Sequence, residues 1–366
     1  MTTAGLPLAR EQMPDDRRND SKGLRLPSLV SLWCCAACGF GLDGTEMNVG
    51  EPVRGVAKFG AAAVEAIQGQ RWLDTPGYKL EHGLALTFNL LGARSRAVQD
   101  VLHGRWLGHP LHPTVTSLPI GAWTAAVVLD AVDVAWSQGE GFRRAAQFAV
   151  GLGVLGGAGA ALTGATDWQH TQDKPRRIGL VHGLVNSVAL GLNVWSFHQR
   201  RRGRLTRARL AGVAGYGCVV AGGYLGGDLV FRHRIGVDHS QQEAGSDRFV
   251  AVLAEADLAE DTPQQVQCDG AAVVLIRHED RITAVGQWCS HLAGPMSQGW
   301  VYRGQLVCPW HGSRFSLETG CPTTGPAVAP LARFETQVVA GQIEVRRVPT
   351  IPAGTSSQPH TFGGSL

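Results

Sequence analysis

The feature that most limits how this chain can fold is a set of long stretches with no acidic or basic residue. Three such stretches contain 20, 22 and 18 residues, at 147–166, 178–199 and 210–227. A fourth apolar stretch, 114–134, contains only Asp130 and Asp133 as charged residues. About 20 apolar residues are enough for a helix to cross the core of a bilayer. The sequence therefore predicts four membrane-spanning helices within residues 107–231.

Glycine content supports the membrane interpretation. Glycine fills 48 of the 366 positions, close to twice its usual share, and it crowds residues 151–164 and 212–227. In lipid, small residues let helices pack closely, whereas in water each would weaken a helix by about 1 kcal/mol relative to alanine. The formal net charge of +3 is too small to indicate nucleic-acid binding. We expect membrane lipid, and not nucleic acid, among the partners.

The composition changes after the fourth span. Residues 232–247 form a polar linker, and residues 248–348 contain short β-rich runs separated by turns with Gly, Asp or Pro, as in an antiparallel sandwich. Six strands are predicted, at 249–253, 272–277, 282–286, 305–308, 334–339 and 343–348. The predicted fold class is multidomain, an α-helical four-span membrane bundle followed by an all-β sandwich. The tail, 349–366, is rich in Pro, Gly, Ser and Thr, and we expect it to be disordered.

The N-terminal region has two interpretations. Residues 26–42 are apolar and follow several basic residues, so the segment 1–46 resembles a signal peptide or a short anchor. Alternatively, Met47 is the true start and residues 1–46 are an upstream extension. Residues 47–106 are predicted to form amphipathic helices that approach the membrane surface. The sequence leaves open the roles of Cys34, Cys35, Cys38, Cys268 and Cys321.

One pattern of metal-ligand residues lies in the β-rich part. Cys289-Ser-His291 is followed, after sixteen residues, by Cys308-Pro-Trp-His311. Two loops would therefore each present one thiolate and one imidazole. Such a ligand set suits either tetrahedral zinc or an iron–sulfur centre. A zinc finger would usually place its histidine pair on a helix, and no helical pattern occurs here.

The two segments Cys-Ser-His-Leu-Ala-Gly and Cys-Pro-Trp-His-Gly-Ser-Arg-Phe closely resemble the cluster-binding loops of Rieske domains. The resemblance covers about residues 248–347 and implies an all-β Rieske sandwich with a [2Fe–2S] cluster. It also implies the ligands of each iron: Cys289 and Cys308 at the inner iron, His291 and His311 at the outer iron. The loop at Gly325-Pro326 is similar to the third loop, which covers the cluster in that family.

Departures from the high-potential branch of this family bear on the reduction potential. Rieske centres lie between about −150 and +300 mV. The Rieske proteins of cytochrome bc complexes carry an additional cysteine in each loop, where this sequence has Gly294 and Trp310. They also carry a tyrosine that hydrogen-bonds a ligating sulfur, and Phe315 takes its place. Ser313 keeps the hydroxyl expected to bond a bridging sulfide. The resemblance therefore implies a low to intermediate potential.

A second resemblance concerns the start of the membrane region. Gly108-His109-Pro110-Leu111-His112-Pro113 is similar to the signature of a widespread four-helix membrane family without an established activity. That family also favours Thr166-Asp167-Trp168 and the segment from His182 to Asn186, and the similarity covers about residues 70–235.

Histidines of this region suggest a second site. With four spans, most of them lie on the membrane side that also carries the β-rich domain. His182 and Asn186 are spaced i, i+4 and would form a polar stripe that faces the bundle interior. Three interpretations stay open: a haem b or metal site using His182 with His109 or His112, a quinone pocket, or hydrogen bonds that simply hold the helices together.

These patterns together predict a membrane-anchored Rieske iron–sulfur protein that transfers single electrons. Its partner would be a redox protein or a quinone at the membrane, and the chain would be an electron carrier rather than a self-contained enzyme. The alternative is a redox or metal sensor that uses the cluster without onward transfer. The expected location is the cytoplasmic membrane. Arginines at 200–209 favour a cytoplasmic loop and an external Rieske domain, whereas the missing disulfide cysteines favour a reducing compartment, so the side is left open.

Overall fold

The computed structural model describes residues 51–136, 139–240 and 245–348. The N-terminal segment 1–46, the tail 349–366, and the cysteines Cys34, Cys35 and Cys38 lie outside these ranges. By its internal contacts the chain divides into two units, 1–61 and 62–366. The described part of the first unit is the start of one helix.

The described residues contain seven α-helices followed by ten β-strands. The helices before the apolar region are short: α1 (Glu51–Gly69), α2 (Asp74–Asn89) and α3 (Ser95–His103). The next four contain 26 to 29 residues: α4 (Leu111–Trp136), α5 (Glu140–Trp168), α6 (Asp173–Arg201) and α7 (Leu205–Phe231). Each of these four is long and apolar enough to cross a membrane. At 1.5 Å per residue they measure about 40 Å, the thickness of a whole bilayer.

Glycines allow polar side chains of one helix to press against the backbone of the next. A Cβ atom on Gly222 of α7 would lie 2.6 Å from the amide of Asn186 on α6. A Cβ atom on Gly215 would lie 2.6 Å from Nδ2 of Asn193. Since neither separation is possible for real atoms, α6 and α7 approach this closely only because both positions are glycine.

Buried charges join the helices at the end of the bundle near the α4–α5 and α6–α7 connections. The guanidinium of Arg200 on α6 donates to both carboxylate oxygens of Asp130 on α4, one at 3.0 Å. Asp133 accepts a hydrogen bond of 2.9 Å from Arg143 and pairs with Arg209 of α7, which also lies 3.5 Å from Asp130. Charges inside a membrane protein are costly unless they are paired. In this network the two aspartates of α4 are paired with arginines from each of the other three helices, so the charges are neutralised and all four helices are joined.

The strands form two antiparallel sheets. Six strands are ordered β1-β10-β9-β4-β3-β2, and four are ordered β5-β6-β7-β8. Their bounds are as follows: β1 (Val250–Ala254), β2 (Gln264–Cys268), β3 (Ala271–His278), β4 (Arg281–Gly286), β5 (Trp300–Tyr302), β6 (Gln305–Val307), β7 (Arg314–Ser316), β8 (Pro322–Thr324), β9 (Arg333–Val339) and β10 (Gln342–Arg347). Side chains of both sheets share one core, which includes Ile276 and Phe315. The predicted multidomain architecture is confirmed.

Candidate metal centre

Two tight loops at one end of the smaller sheet present the four candidate ligands. The first loop follows β4, where the backbone N–H of Cys289 donates to the carbonyl of Gly294 at 2.9 Å. The second joins β6 to β7, where the N–H of Cys308 donates to the carbonyl of Ser313 at 2.8 Å. Each loop therefore turns within six residues and holds its cysteine at a fixed place.

The two thiols lie together in the core of the domain. Cys289 is 2% exposed and Cys308 is 1% exposed, and their side chains are hydrogen-bonded to each other. This shared hydrogen bond, helped by the backbone N–H groups of Trp310 and His311, lowers the pKa of Cys308 to about 7. The same bond and burial raise the pKa of Cys289 well above its ordinary value. One thiol of the pair therefore loses its proton more easily than a free cysteine, and metal binding requires such a thiolate.

The two imidazoles meet at the outer side of the loops. The ring centroids of His291 and His311 are 5.1 Å apart, with the planes at 87°. Nδ1 of His291 is buried and has no hydrogen-bond partner among the described residues. Burial lowers the pKa of both rings, so both are neutral and can act as ligands. A buried nitrogen without a partner fits a bond to a metal.

The loop at Gly325-Pro326, which the resemblance predicts to cover a cluster, contacts the second cysteine loop. Ser313 is fully buried, and its hydroxyl accepts a hydrogen bond of 3.0 Å from the N–H of Ala327. Phe315 is 1% exposed and packs in the same core as both cysteines. The bond between Gly325 and Pro326 is cis. The structure thus brings the two residues predicted to tune the cluster, and the third loop, around the thiols.

The histidines predicted for a second site are only partly brought together. The rings of His112 and His182 lie 6.4 Å apart between centroids. His109 is exposed, and its Nδ1 contacts the carbonyl of Pro110 at 3.1 Å. Asn186 donates to the carbonyl of His182 at 2.9 Å, within its own helix.

Each buried ring is used in helix packing. Nδ1 of His112 contacts the carbonyl of Ala160 on α5, and Nδ1 of His182 contacts the carbonyl of Gly222 on α7, both at 2.9 Å. A Cβ atom on Gly164 would lie 2.7 Å from His112. These contacts agree with the packing interpretation, and nothing in the described residues supports haem or quinone.

One histidine outside the Cys-x-His and Cys-x-x-His motifs, His170, also lies beside the candidate ligands. The ring of His170, which follows α5, lies 5.5 Å from that of His291 and 5.2 Å from that of His311, between centroids. It also lies 5.4 Å from the ring of His103, whose Nδ1 donates to Asp167 at 2.8 Å. The sequence gave no signal for this contact of His170.

Comparisons with known proteins separate the chain into the same two parts. Residues 248–335 match the model of the Rieske [2Fe-2S] domain, and residues 108–239 match that of a predicted membrane protein family, DUF2231. Over 98 residues the chain is 32% identical to ferredoxin CarAc of Metapseudomonas resinovorans, covering 26% of this chain and 92% of the ferredoxin.

Two further relatives match the same region. Apoptosis-inducing factor 3 of Homo sapiens is 29% identical over 96 residues, which are 26% of this chain and only 16% of that protein. Among solved structures, the ferredoxin of carbazole 1,9a-dioxygenase from Nocardioides aromaticivorans IC177 is 28% identical, with a TM-score of 0.27. That match covers 27% of this chain and 98% of the ferredoxin.

Proposed function

The chain belongs to the Rieske [2Fe-2S] family, with a DUF2231 membrane domain in front of its Rieske domain, and we propose that it is a membrane-anchored carrier of single electrons. The observation that carries this proposal is the paired cysteines beside the paired histidines, with the buried Nδ1 of His291 left without a partner in the described structure. We assign the membrane domain to residues 107–231, the linker to 232–247 and the Rieske domain to 248–348.

Each of the two loops would supply one ligand to each iron of the cluster. Cys289 and Cys308, as thiolates, would hold the inner iron, and neutral His291 and His311 would hold the outer iron. A [2Fe–2S] centre bound there accepts and releases one electron at a time. The apolar core around both thiols excludes water from the inner side. Because the histidines lie at the outer edge, electrons would enter and leave on that side.

We place the reduction potential in the low half of the Rieske range. Hydrogen bonds to cluster sulfurs raise the potential, because they stabilise the added negative charge of the reduced state. Ser313 can supply one such bond, but Phe315 has no hydroxyl to supply another. Gly294 and Trp310 cannot form the disulfide of the bc-type proteins.

We further propose that the partner is a redox protein that meets the carrier at the membrane. Ferredoxin CarAc and the ferredoxin subunit of anthranilate 1,2-dioxygenase from Burkholderia cepacia are similar to the Rieske domain. One similar solved structure is a complex of reduced oxygenase and oxidized ferredoxin.

We assign the chain to the cytoplasmic membrane. The four apolar helices and the DUF2231 match support a membrane location. Large apolar side chains before the first span are exposed, with Trp72 at 67%, Leu90 at 87% and Trp106 at 54%. Exposed tryptophans next to membrane spans are typical of residues that contact the lipid interface.

A redox titration of the purified chain tests the proposal. A carrier should take up one electron per chain from dithionite, return it to ferricyanide, and repeat this cycle without losing iron. Irreversible bleaching on the first reduction, or uptake of no electron by a protein that contains iron and sulfide, would refute electron transfer.

A further inference from the structure

The histidine edge of the Rieske domain, formed by His291 and His311, contacts residues that precede the Rieske domain in the chain. Besides the ring contacts of His170, the N–H of Gly325 donates to Asp100 on α3 at 2.8 Å. The N–H of His239 donates to the carbonyl of Ser290 at 3.1 Å. Four separate segments, α3, the α5–α6 connection, the linker and the cluster loops, therefore meet at this edge.

Asp167 and His103 fix the orientation of the imidazoles in this contact. His103 is 3% exposed, and its Nδ1–H donates to the carboxylate of Asp167 at 2.8 Å. A neutral imidazole that donates from Nδ1 carries its lone pair on Nε2. The ring of His103 packs against that of His170, which leaves His170 held between a fixed histidine and the two candidate ligands.

His170 itself has an unused nitrogen. Its Nε2 is buried and has no hydrogen-bond partner among the described residues. A neutral ring always has one nitrogen that can accept a hydrogen bond.

An imidazole that binds a metal through Nδ1 carries a proton on Nε2, and this N–H usually donates a hydrogen bond to a neighbouring acceptor. Two imidazoles joined by an N–H···N bond of about 2.9 Å have centroids roughly 5 Å apart. The observed distance between the ring centroids of His170 and His311 is 5.2 Å, although no hydrogen bond joins the two rings in the described structure. Glu81, a charged group near His311, is already paired with Arg176 at 2.7 Å.

We propose that His170 is a positioning residue whose imidazole accepts a hydrogen bond from the outward N–H of a ligand histidine and thereby ties the cluster edge to the membrane domain. This proposal rests on the cluster assignment above. An accepted hydrogen bond makes the ligand more electron-rich, which stabilises the oxidised cluster.

Voltammetry of the full chain in nanodiscs tests this proposal. His170→Phe fills the space without an acceptor, and the potential should shift to a more positive value. His170→Gln supplies a carbonyl acceptor, and the potential should return towards that of the wild type. The control is His278→Phe, since His278 pairs with Asp261 at 2.6 Å in the Rieske domain and lies outside this contact; it should leave the potential unchanged.

An unchanged potential in His170→Phe, with the cluster intact, would overturn the proposal while leaving electron transfer by the cluster untouched. Equal shifts in the Phe and Gln variants would also overturn it, because a space-filling role alone would then explain the effect. If the Phe variant does not fold, Asp167→Asn keeps the test open, because it removes the carboxylate that orients His103 and should shift the potential in the same direction. A wild-type chain without any cluster would instead refute the proposed function.

Discussion

A Cβ atom on Gly294 would lie 2.7 Å from Sγ of Cys308. The first cluster loop therefore passes directly over the sulfur that the second loop presents, and only a residue without a side chain fits there. The same atom would lie 3.4 Å from the ring of Trp310. A side chain at position 294 would therefore push the two loops apart.

Gly294→Ala should prevent assembly of the cluster or greatly reduce its yield. The added methyl group needs the loops to separate, and such overpacking costs about 1–3 kcal/mol. Iron and acid-labile sulfide in the purified protein measure the effect. Gly121→Ala is the matched control, since a Cβ atom there meets nothing within 4 Å; similar losses in both variants would contradict this explanation.

Cys289→Ser should abolish the cluster, because a serine hydroxyl is a poor replacement for a buried thiolate ligand. Cys321→Ser should leave it intact, since Cys321 is an exposed cysteine outside the two loops. Visible absorbance and iron content of the two variants, compared at equal protein concentration, give the answer. A Cys289→Ser protein with full iron content would remove this residue from the ligand set.

Phe315→Tyr should raise the reduction potential, because the new hydroxyl can bond a ligating sulfur and stabilise the reduced cluster. Ser313→Ala should lower it, because the hydroxyl beside the cluster is lost. Voltammetry of both variants checks the pair of opposite shifts. No upward shift in an intact Phe315→Tyr protein would contradict the account of the low potential.

Arg200→Met should destabilise the membrane domain by about 3–5 kcal/mol, because Asp130 would be left buried without its main partner. Arg144→Met should change stability by less than about 1 kcal/mol, because the Arg144–Glu140 pair is exposed. Unfolding in mixed detergent micelles measures both. Equal effects would show that burial of the Arg200–Asp130 pair is not what stabilises the bundle.

The sequence predicted the helices that come from long apolar stretches and most of the strands that have five or more residues. Three charge-free stretches and a fourth with two aspartates predicted α4 to α7, and the structure extends these helices beyond the apolar stretches. The six predicted strands correspond to β1, β3, β4, β6, β9 and β10. Four strands have only three residues, too few to show alternation, and of these the sequence indicated β6 but not β5, β7 or β8. The strand β2 (Gln264–Cys268) was also missed, because it is mostly polar.

The candidate site was predictable where ligand spacing determines chemistry and unpredictable where it depends on packing between domains. Cys289 and His291 could be paired with Cys308 and His311 from their spacing and family resemblance. The approach of His170 depends on how the Rieske domain lies against the membrane domain, which no local pattern encodes. Similarly, Asp130 pairs mainly with Arg200, a residue 70 positions away.

The central claim is tested most directly by the spectra of the purified, detergent-solubilised chain before and after reduction with dithionite. We predict iron–sulfur absorbance in the oxidised protein, and a paramagnetic resonance signal of the Rieske type that appears on reduction. A colourless protein that contains one zinc ion and gives no such signal would contradict the account.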